Sequence, residues 1–551
     1  MLNLHQEYIS ETCGPDGHPV SYRLNVPDKF NFAYDVVDRI AEVEPQRRAM
    51  FWRNVEGETH TFTFADIKRE SDRCAAWLQS LGIRKGDKVM LILKRHYQFW
   101  FTIIGLHKIG AIAIPATNQL QVKDIVYRIE AADIRAVICT PEGETFTAVE
   151  QAVQSVSRDI TLIMVRQARP GWLCFEDGLA DAPAFQPPQG DAYPHGSDMM
   201  LLYFTSGTTG MPKMVVHDFT YPIGHIATAK YWHRVDPDGL HLTVSEIGWA
   251  KSVWGKLYGQ WLMEAGIYVY DFDRFSPDDM LTRLQDDRIT TFCAPPTIYR
   301  FLIKEDLTRY DLSSLQHCTI AGEALNPEVY EQFLRATGLE LKEGYGQTEM
   351  TLAVVTPYWL ATRPGSMGRP SPAYHIQLLD DQDQPVEPGQ SGEICVITGV
   401  EKVPGMFSGY HKDPQLTQSV WHDGIYHTGD LAWQDEDGYL WFVGRTDDII
   451  KSSGYRIGPF EVESVLMEHP AVLECAVTGA PDPVRGQVVR ATVVLSRDYT
   501  ASDALRLELQ DYVKTHTAPY KYPRILDFVE MLPKTISGKI RRVEIRASDA
   551  Q

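Results

Sequence analysis

Tyr203-Phe-Thr-Ser-Gly-Thr-Thr-Gly-Met-Pro-Lys213 leaves a strand-like apolar run, Met199 to Phe204, and sets hydroxyls, two glycines and a lysine within the next nine residues. Small residues let backbone N–H groups converge on an anion, Thr205, Ser206, Thr208 and Thr209 add donors, and Lys213 adds a positive charge. Gly207 and Gly210 supply the tight turns. Such a loop suits a polyphosphate, although the spacing is not that of a Walker A loop, which needs Gly-x-x-x-x-Gly-Lys-Ser/Thr. A plain Gly/Thr-rich turn that holds nothing is the competing reading.

Outward from this loop, short apolar runs recur at Val89–Leu93, Gly110–Pro115, Ala136–Cys139 and Thr161–Val165, with helix-length segments between them. Asp66 to Leu81 reads as an amphipathic helix, since Cys74, Trp77, Leu78 and Leu81 fall at i, i+3, i+4, i+7 and Gly82 stands ready to end it. Buried strands joined by helical crossovers predict an α/β fold of parallel or mixed sheets covered by helices. The Pro/Gly/Ala/Asp-rich stretch 178–198 has neither period and is expected to be a surface loop.

The chain has 551 residues and 44% apolar content, more than one core normally serves, so at least two domains are expected. From Thr446 onward there are 14 Lys plus Arg against 15 Asp plus Glu, whereas the first 445 residues carry a net charge of -19. That shift places a large N-terminal domain at 1–445 and a small C-terminal domain at 446–551. A total formal charge of -20 argues against tracking of nucleic acid or anionic lipid, so an anionic ligand needs local cations. The eight cysteines form no Cys-x-x-Cys pair, which points to reduced thiols and a cytoplasmic setting. The N-terminal residues lack the order of a secretory signal or the Arg-rich makeup of a transit peptide, and no apolar run reaches membrane-spanning length.

Further motifs follow in order: GYGQTE (344–349), YHTGD (426–430), GRTDDIIKSSGYRIGPFEVE (444–463) and PKTISGK (533–539). Two glycines and an aromatic ahead of a hydroxyl and a carboxylate suit a purine platform beside a metal-phosphate site. A carboxylate such as Asp430 binds vicinal diols well, since each oxygen accepts from one hydroxyl. Asp430 with Arg445 reads equally as an ordinary ion pair, and Lys539 by composition as a solvated lysine.

Taken together these motifs closely resemble the ordered set of the adenylate-forming superfamily, which includes acyl-CoA synthetases, peptide synthetase adenylation domains and firefly-type luciferases. SEIGWAKSVWGKLYGQW (245–261), PDPVRGQVV (481–489) and APYKYPR (518–524) look like its medium-chain acyl-CoA synthetase branch. The resemblance implies ATP, Mg²⁺ and coenzyme A as ligands and a small-molecule carboxylic acid as substrate. It implies that Thr205, Ser206, Gly207, Thr208, Thr209, Gly210 and Lys213 hold the phosphates, and that Gly322, Glu323 and Ala324 line the adenine with Gly344, Tyr345, Gly346 and Gln347. Tyr345 would stack on the base, Thr348 meet the α-phosphate, Glu349 hold Mg²⁺, and Asp430 with Arg445 take the ribose. Lys539 would stabilise the charge that gathers as one anion attacks another, and Asp447 would be the hinge of a mobile, α+β small domain.

By the same resemblance Ser453, Gly454, Tyr455, Arg456, Arg485, Lys514 and Tyr522 are candidates for coenzyme A, with Lys521 beside them. Trp249, Lys251 and Trp254 are candidates for the acyl pocket, where tryptophans wall off a short apolar cavity or simply belong to the core. The implied activity is an AMP-forming acid:CoA ligase for short- to medium-chain or branched fatty acids; a homodimer is open to it, since large α/β domains commonly pair, but the sequence does not decide the oligomeric state. Two rivals compete with it: an adenylation enzyme that loads a carrier protein, and a non-catalytic nucleotide-binding regulator, which would be expected to have lost the motif residues. A luciferase-like oxygenase is a more distant reading.

Overall fold

The computed structural model describes residues 1–205, 211–322, 325, 327–400, 402–453, 455–534 and 540–547. The first helix of the α/β pattern spans Phe64–Ser80, two residues earlier than periodicity alone predicts. Its start is set by a capping box: the Thr63 hydroxyl accepts from the Asp66 N–H at 3.2 Å, and Asp66 Oδ2 accepts from the Thr63 N–H at 2.9 Å. Gly82, at φ +88°, ends it in the left-handed region. The helix lies so close to Gln98–Ile109 that a Cβ on Gly105 would stand 3.1 Å from the Ser71 carbonyl.

Each apolar run of the N-terminal region is a strand: Lys88–Ile92, Ile112–Ala116, Ile134–Cys139, Thr161–Met164 and Met199–Thr205. With Lys213–Asp218 and Leu173–Cys174 they form a seven-stranded sheet, parallel except where Met199–Thr205 turns back antiparallel onto Lys213–Asp218. A second sheet counts fourteen strands among the described residues. Its centre is parallel, with Leu240–Thr243, Gly266–Asp271, Thr291–Ala294, His317–Ala321 and Leu341–Gln347 in pairwise register. Antiparallel strands then carry it through Ile425–Gln434 and Leu440–Arg445. One apolar cluster takes Leu91 and Tyr203 from the first sheet and Ile267 and Val269 from the second, so the two sheets share a core. The 178–198 stretch contributes the end of a helix, Phe175–Ala180, and one short turn of helix, Gly190–Ala192, and is otherwise irregular.

Beyond Asp448 the chain builds a separate five-stranded sheet. Its helices Pro459–Glu468 and Asp503–His516 close over a core of their own that includes Ile450, Val462, Leu466, Val477, Val493 and Leu509. The large N-terminal domain and the C-terminal module expected from the sequence are both present. No helix among the described residues is long and apolar enough to cross a membrane.

Candidate active site

Strand pairing is what brings the described motifs together. Thr205 and Lys213 are direct cross-strand partners, so the intervening loop is closed at its base by the antiparallel pair. Ser206, Gly207, Thr208, Thr209 and Gly210 lie outside the described residues. In the second sheet Ala321 is the register partner of Gly344, and Asp430 is that of Arg445. These pairings bring Gly322 and the GYGQ segment side by side at the carboxyl ends of two parallel strands. Glu323 and Ala324 lie outside the described residues.

Asp430 is the hub. Its Oδ2 accepts from the Tyr345 hydroxyl and from Gln347 Nε2, both at 2.6 Å, and its Oδ1 accepts from Arg445 Nη1 at 3.3 Å. Gln347 cannot flip freely, because its Oε1 accepts from the Tyr426 hydroxyl at 2.8 Å and its Nε2 also donates to the Thr428 carbonyl at 2.8 Å. Burial, then the neighbouring Asp430 charge, pushes the Tyr345 hydroxyl well above the usual phenol range and keeps it a donor. Burial alone would lower Arg445, yet the adjacent Asp430 and Asp447 carboxylates more than offset it and hold the guanidinium charged. Oδ2 thus accepts two short hydrogen bonds, whereas Oδ1 accepts one longer one and is the less committed oxygen.

Glu349 is buried and its Oε1 accepts from the Tyr410 hydroxyl at 2.9 Å. Lys213 Nζ stands 5.2 Å from the Tyr410 ring, so one tyrosine joins Lys213 to the Glu349 carboxylate. The Thr348 carbonyl accepts from His217 Nε2 at 2.7 Å, which fixes the backbone between Gln347 and Glu349. Tyr410 and His217 escape sequence reading, since neither lies in a segment with a chemical pattern. Tyr426 and Thr428 stand inside YHTGD and were recoverable from it.

Trp254 is buried in the shared core and Trp249 half-buried at the start of helix Ala250–Lys256. Lys251 Nζ donates to the Ala321 carbonyl at 2.7 Å, which ties the tryptophan segment to the strand end that precedes Gly322. Gly344 has no room for a side chain: a Cβ there would approach Trp232 to 2.8 Å and Leu352 to 2.9 Å.

In the C-terminal module Ser453, at φ +51°, receives the Arg485 Nη1 donor on its hydroxyl at 3.3 Å and gives its own N–H to the Arg485 carbonyl at 3.0 Å. Tyr455 stacks on Tyr520 at 4.2 Å. Lys514 and Arg524 flank the Tyr522 ring at 5.6 and 4.9 Å, and Arg524 Nη1 donates to the Tyr522 hydroxyl at 2.8 Å. Arg524 is therefore a cation of this surface that the sequence reading did not single out, although APYKYPR contains it. Lys521 pairs with Glu461 instead, and Arg456 reaches across to Asp381 at 3.5 Å. Gly454 and Lys539 lie outside the described residues. Asp447 Oδ1 lies 3.5 Å from Arg445 Nε, on the large-domain side, while Asp448 Oδ1 accepts from Arg546 at 2.7 Å within the module.

The family models of the AMP-binding enzyme and of its C-terminal domain match residues 37–411 and 461–539. The chain is 38% identical over 542 residues to the mouse mitochondrial acyl-coenzyme A synthetase ACSM3, covering 96% of this chain and 92% of that one. It is 40% identical over 538 residues to mouse mitochondrial acyl-coenzyme A synthetase ACSM5, covering 95% and 91%. Among solved structures, the anthranilate CoA ligase AuaEII in complex with anthranoyl-AMP superposes with a TM-score of 0.86 at 27% identity, over 95% of this chain and 98% of that one. A benzoate CoA ligase from Burkholderia xenovorans LB400 gives 0.81 at 28%, over 94% and 100%. The relatives correct one expectation: they are mitochondrial proteins, which points away from the cytoplasm. Cysteine spacing bears on redox state alone and does not separate one reducing compartment from another. Matched by both models and aligned with such relatives over nearly its whole length, the chain belongs to the AMP-binding enzyme family.

Proposed function

We propose that Asp430, with Tyr345, Gln347 and Arg445 around it, is the ribose end of the active site of an ATP-dependent acid:CoA ligase that forms an acyl-adenylate and then a thioester. The ligase reaction itself follows from the family and from acyl-coenzyme A synthetase relatives across the whole chain. The observation that carries the residue assignment is the convergence of the Tyr345 and Gln347 donors and the Arg445 charge on one buried carboxylate. A neutral structural pair would not draw three separate motifs to a single group.

In the first step the phosphates lie on the loop closed by Thr205 and Lys213, and the acid's carboxylate attacks the α-phosphorus as pyrophosphate leaves. Lys213 and Lys539 offset the negative charge that accumulates, and the Thr348 hydroxyl meets the α-phosphate. The Glu349 carboxylate is a hard oxygen donor held in place by Tyr410, which fits Mg²⁺, and the ion would supply charge neutralisation on the phosphates. In the second step the small domain turns about Asp447, the residue after which side-chain partners change from Arg445 to Arg546. Lys539 then withdraws, and Ser453, Tyr455, Arg485, Lys514 and Tyr522 come forward to coenzyme A. Free coenzyme A rather than a carrier protein is favoured by exposed Arg485 and the Lys514, Arg524 pair, which suit nucleotide phosphates that a carrier arm lacks.

For the acid, short- to medium-chain or branched substrates are supported by the acyl-coenzyme A synthetase relatives and by the apolar surroundings of Trp254. The test is a panel of C2 to C12, branched and aryl acids with MgATP and coenzyme A, following AMP, pyrophosphate and thiol loss. The reading requires all three products to appear together with some acid. Formation of AMP and pyrophosphate with no loss of free thiol would point to a carrier protein as acceptor, and no AMP with any acid would overturn the assignment.

A further inference from the structure

The strand that presents Asp430 carries a second chemical group three residues earlier. His427 Nδ1 lies 3.1 Å from Glu393 Oε2, and the other Glu393 oxygen accepts from the Gly429 N–H at 2.7 Å. A carboxylate on Nδ1 fixes the imidazole tautomer, so Nδ1 carries the proton and Nε2 presents a lone pair. That Nε2 is buried and has no hydrogen-bond partner. The Cys395 thiol lies 3.5 Å from the same Nδ1, on the side of the ring opposite Nε2.

A carboxylate stands off the bare Nε2, and a second imidazole lies against the face of the His427 ring. Asp383 Oδ1 is 3.7 Å away, and His422 stacks on His427 with ring centroids 4.8 Å apart. Ligating atoms of Asp383, His422 and His427 all lie within 4.8 Å of one another. Bonds of about 2.0–2.1 Å in tetrahedral geometry set neighbouring donor atoms roughly 3.3 Å apart, so the Asp383 to His427 separation is within a few tenths of an ångström of a ligand pair. Stacked rings cannot both aim lone pairs at one ion, and His422 has to turn about χ2. Its side chain is 36% exposed and that of Asp383 40%, which leaves both free to close in and leaves a path for an ion.

We propose that Asp383, His422 and His427 bind a divalent transition-metal ion of the zinc class at a site separate from that of MgATP, with Glu393 as the outer carboxylate that orients His427. Two imidazoles, one carboxylate and a water complete a four-coordinate shell that suits Zn²⁺ or Co²⁺. Mg²⁺ is a poor competitor, because it favours six oxygen ligands and gives up water reluctantly. Through Glu393 the ion is joined to the Gly429 N–H, one residue before Asp430, so occupancy restrains the strand that carries the ribose contact.

The test is titration of the full chain with Co²⁺ in excess Mg²⁺, followed by visible d–d absorption, with equilibrium dialysis for stoichiometry. One Co²⁺ per chain is expected, displaced by equimolar Zn²⁺ and retained against Mg²⁺. H422A and D383N should each weaken binding at least ten-fold while leaving melting temperature and Mg²⁺-supported ligase activity as in the wild type. E393Q, which leaves all three ligands in place, should weaken it roughly ten-fold, the usual effect of losing an outer carboxylate. The proposal is overturned if the wild type takes up no Co²⁺, or if H422A and D383N bind it as tightly as the wild type.

Discussion

Replacing Asp430 by Asn tests the ribose assignment with little change of shape. Gln347 is pinned by Tyr426 and the Thr428 carbonyl, so the new amide must keep its oxygen toward Tyr345 and Gln347 and turn its NH₂ toward Arg445. Two 2.6 Å bonds then lose their charge assistance, about 1 kcal/mol each on the difference between charged and neutral hydrogen bonds. Arg445 loses one partner but keeps Asp447 at 3.5 Å, and with a side chain 36% exposed that loss is discounted to about 0.5–1 kcal/mol. The folded state should therefore lose about 2–3 kcal/mol. Toward ATP, one diol acceptor becomes a donor, a loss of about 1.5–3 kcal/mol, or roughly 10- to 100-fold. The ribose is remote from the reacting phosphorus, so this binding is lost equally from ground and transition states: KM for ATP should rise by that factor with kcat within a few-fold. Acid-dependent ATP–pyrophosphate exchange at varied ATP measures both, and urea unfolding measures stability. An unchanged KM for ATP, or a fall in kcat at constant KM, would refute the assignment of Asp430 to the ribose.

Three further outcomes follow from the same geometry. Lys539→Ala should reduce acid-dependent ATP–pyrophosphate exchange by about 10²–10³-fold, the usual cost of one charge-stabilising group, while thioester formation from supplied acyl-AMP continues; equal loss of both steps would show that Lys539 does not belong to adenylation alone. Arg485→Ala should raise KM for coenzyme A about five-fold, an effect that shrinks as salt rises, with pyrophosphate exchange untouched. Glu343 precedes Gly344 fully buried, and desolvation raises its carboxyl to about 8 despite the hydrogen bond from Leu325. The folded protein thus binds more protons than the unfolded chain between the ordinary value of 4.5 and about 8, so this group's stabilisation is complete below 4.5 and declines by roughly 1.4 kcal/mol per pH unit across that window. Glu343→Gln should gain on the wild type between pH 5 and 8 in urea unfolding, with the histidine contributions common to both; a constant difference across that range would mean the carboxyl titrates normally.

Local order in this chain was legible where one segment decides its own conformation. The helix Phe64–Ser80 shows the limit: apolar spacing located its body, but its first turn depends on Thr63 and Asp66 exchanging hydrogen bonds, a capping pattern that periodicity does not register. The apolar runs became strands because parallel strands covered on both faces need no alternation. What no local pattern contains is register. Ala321 and Gly344 are 23 residues apart in the chain, and Asp430 and Arg445 are 15 apart, yet each is a direct partner across a strand pair. The motif set named the groups, and hydrogen bonding in the sheets decided which of them touch. The domain junction yields to the same reasoning: a shift in charge put it after residue 445, and the side chains refine it to the step between Asp447, which still answers to Arg445, and Asp448, which answers to Arg546. A single peptide unit separates carboxylates with opposite allegiances, so the turn proposed at Asp447 would leave both side-chain pairs in place.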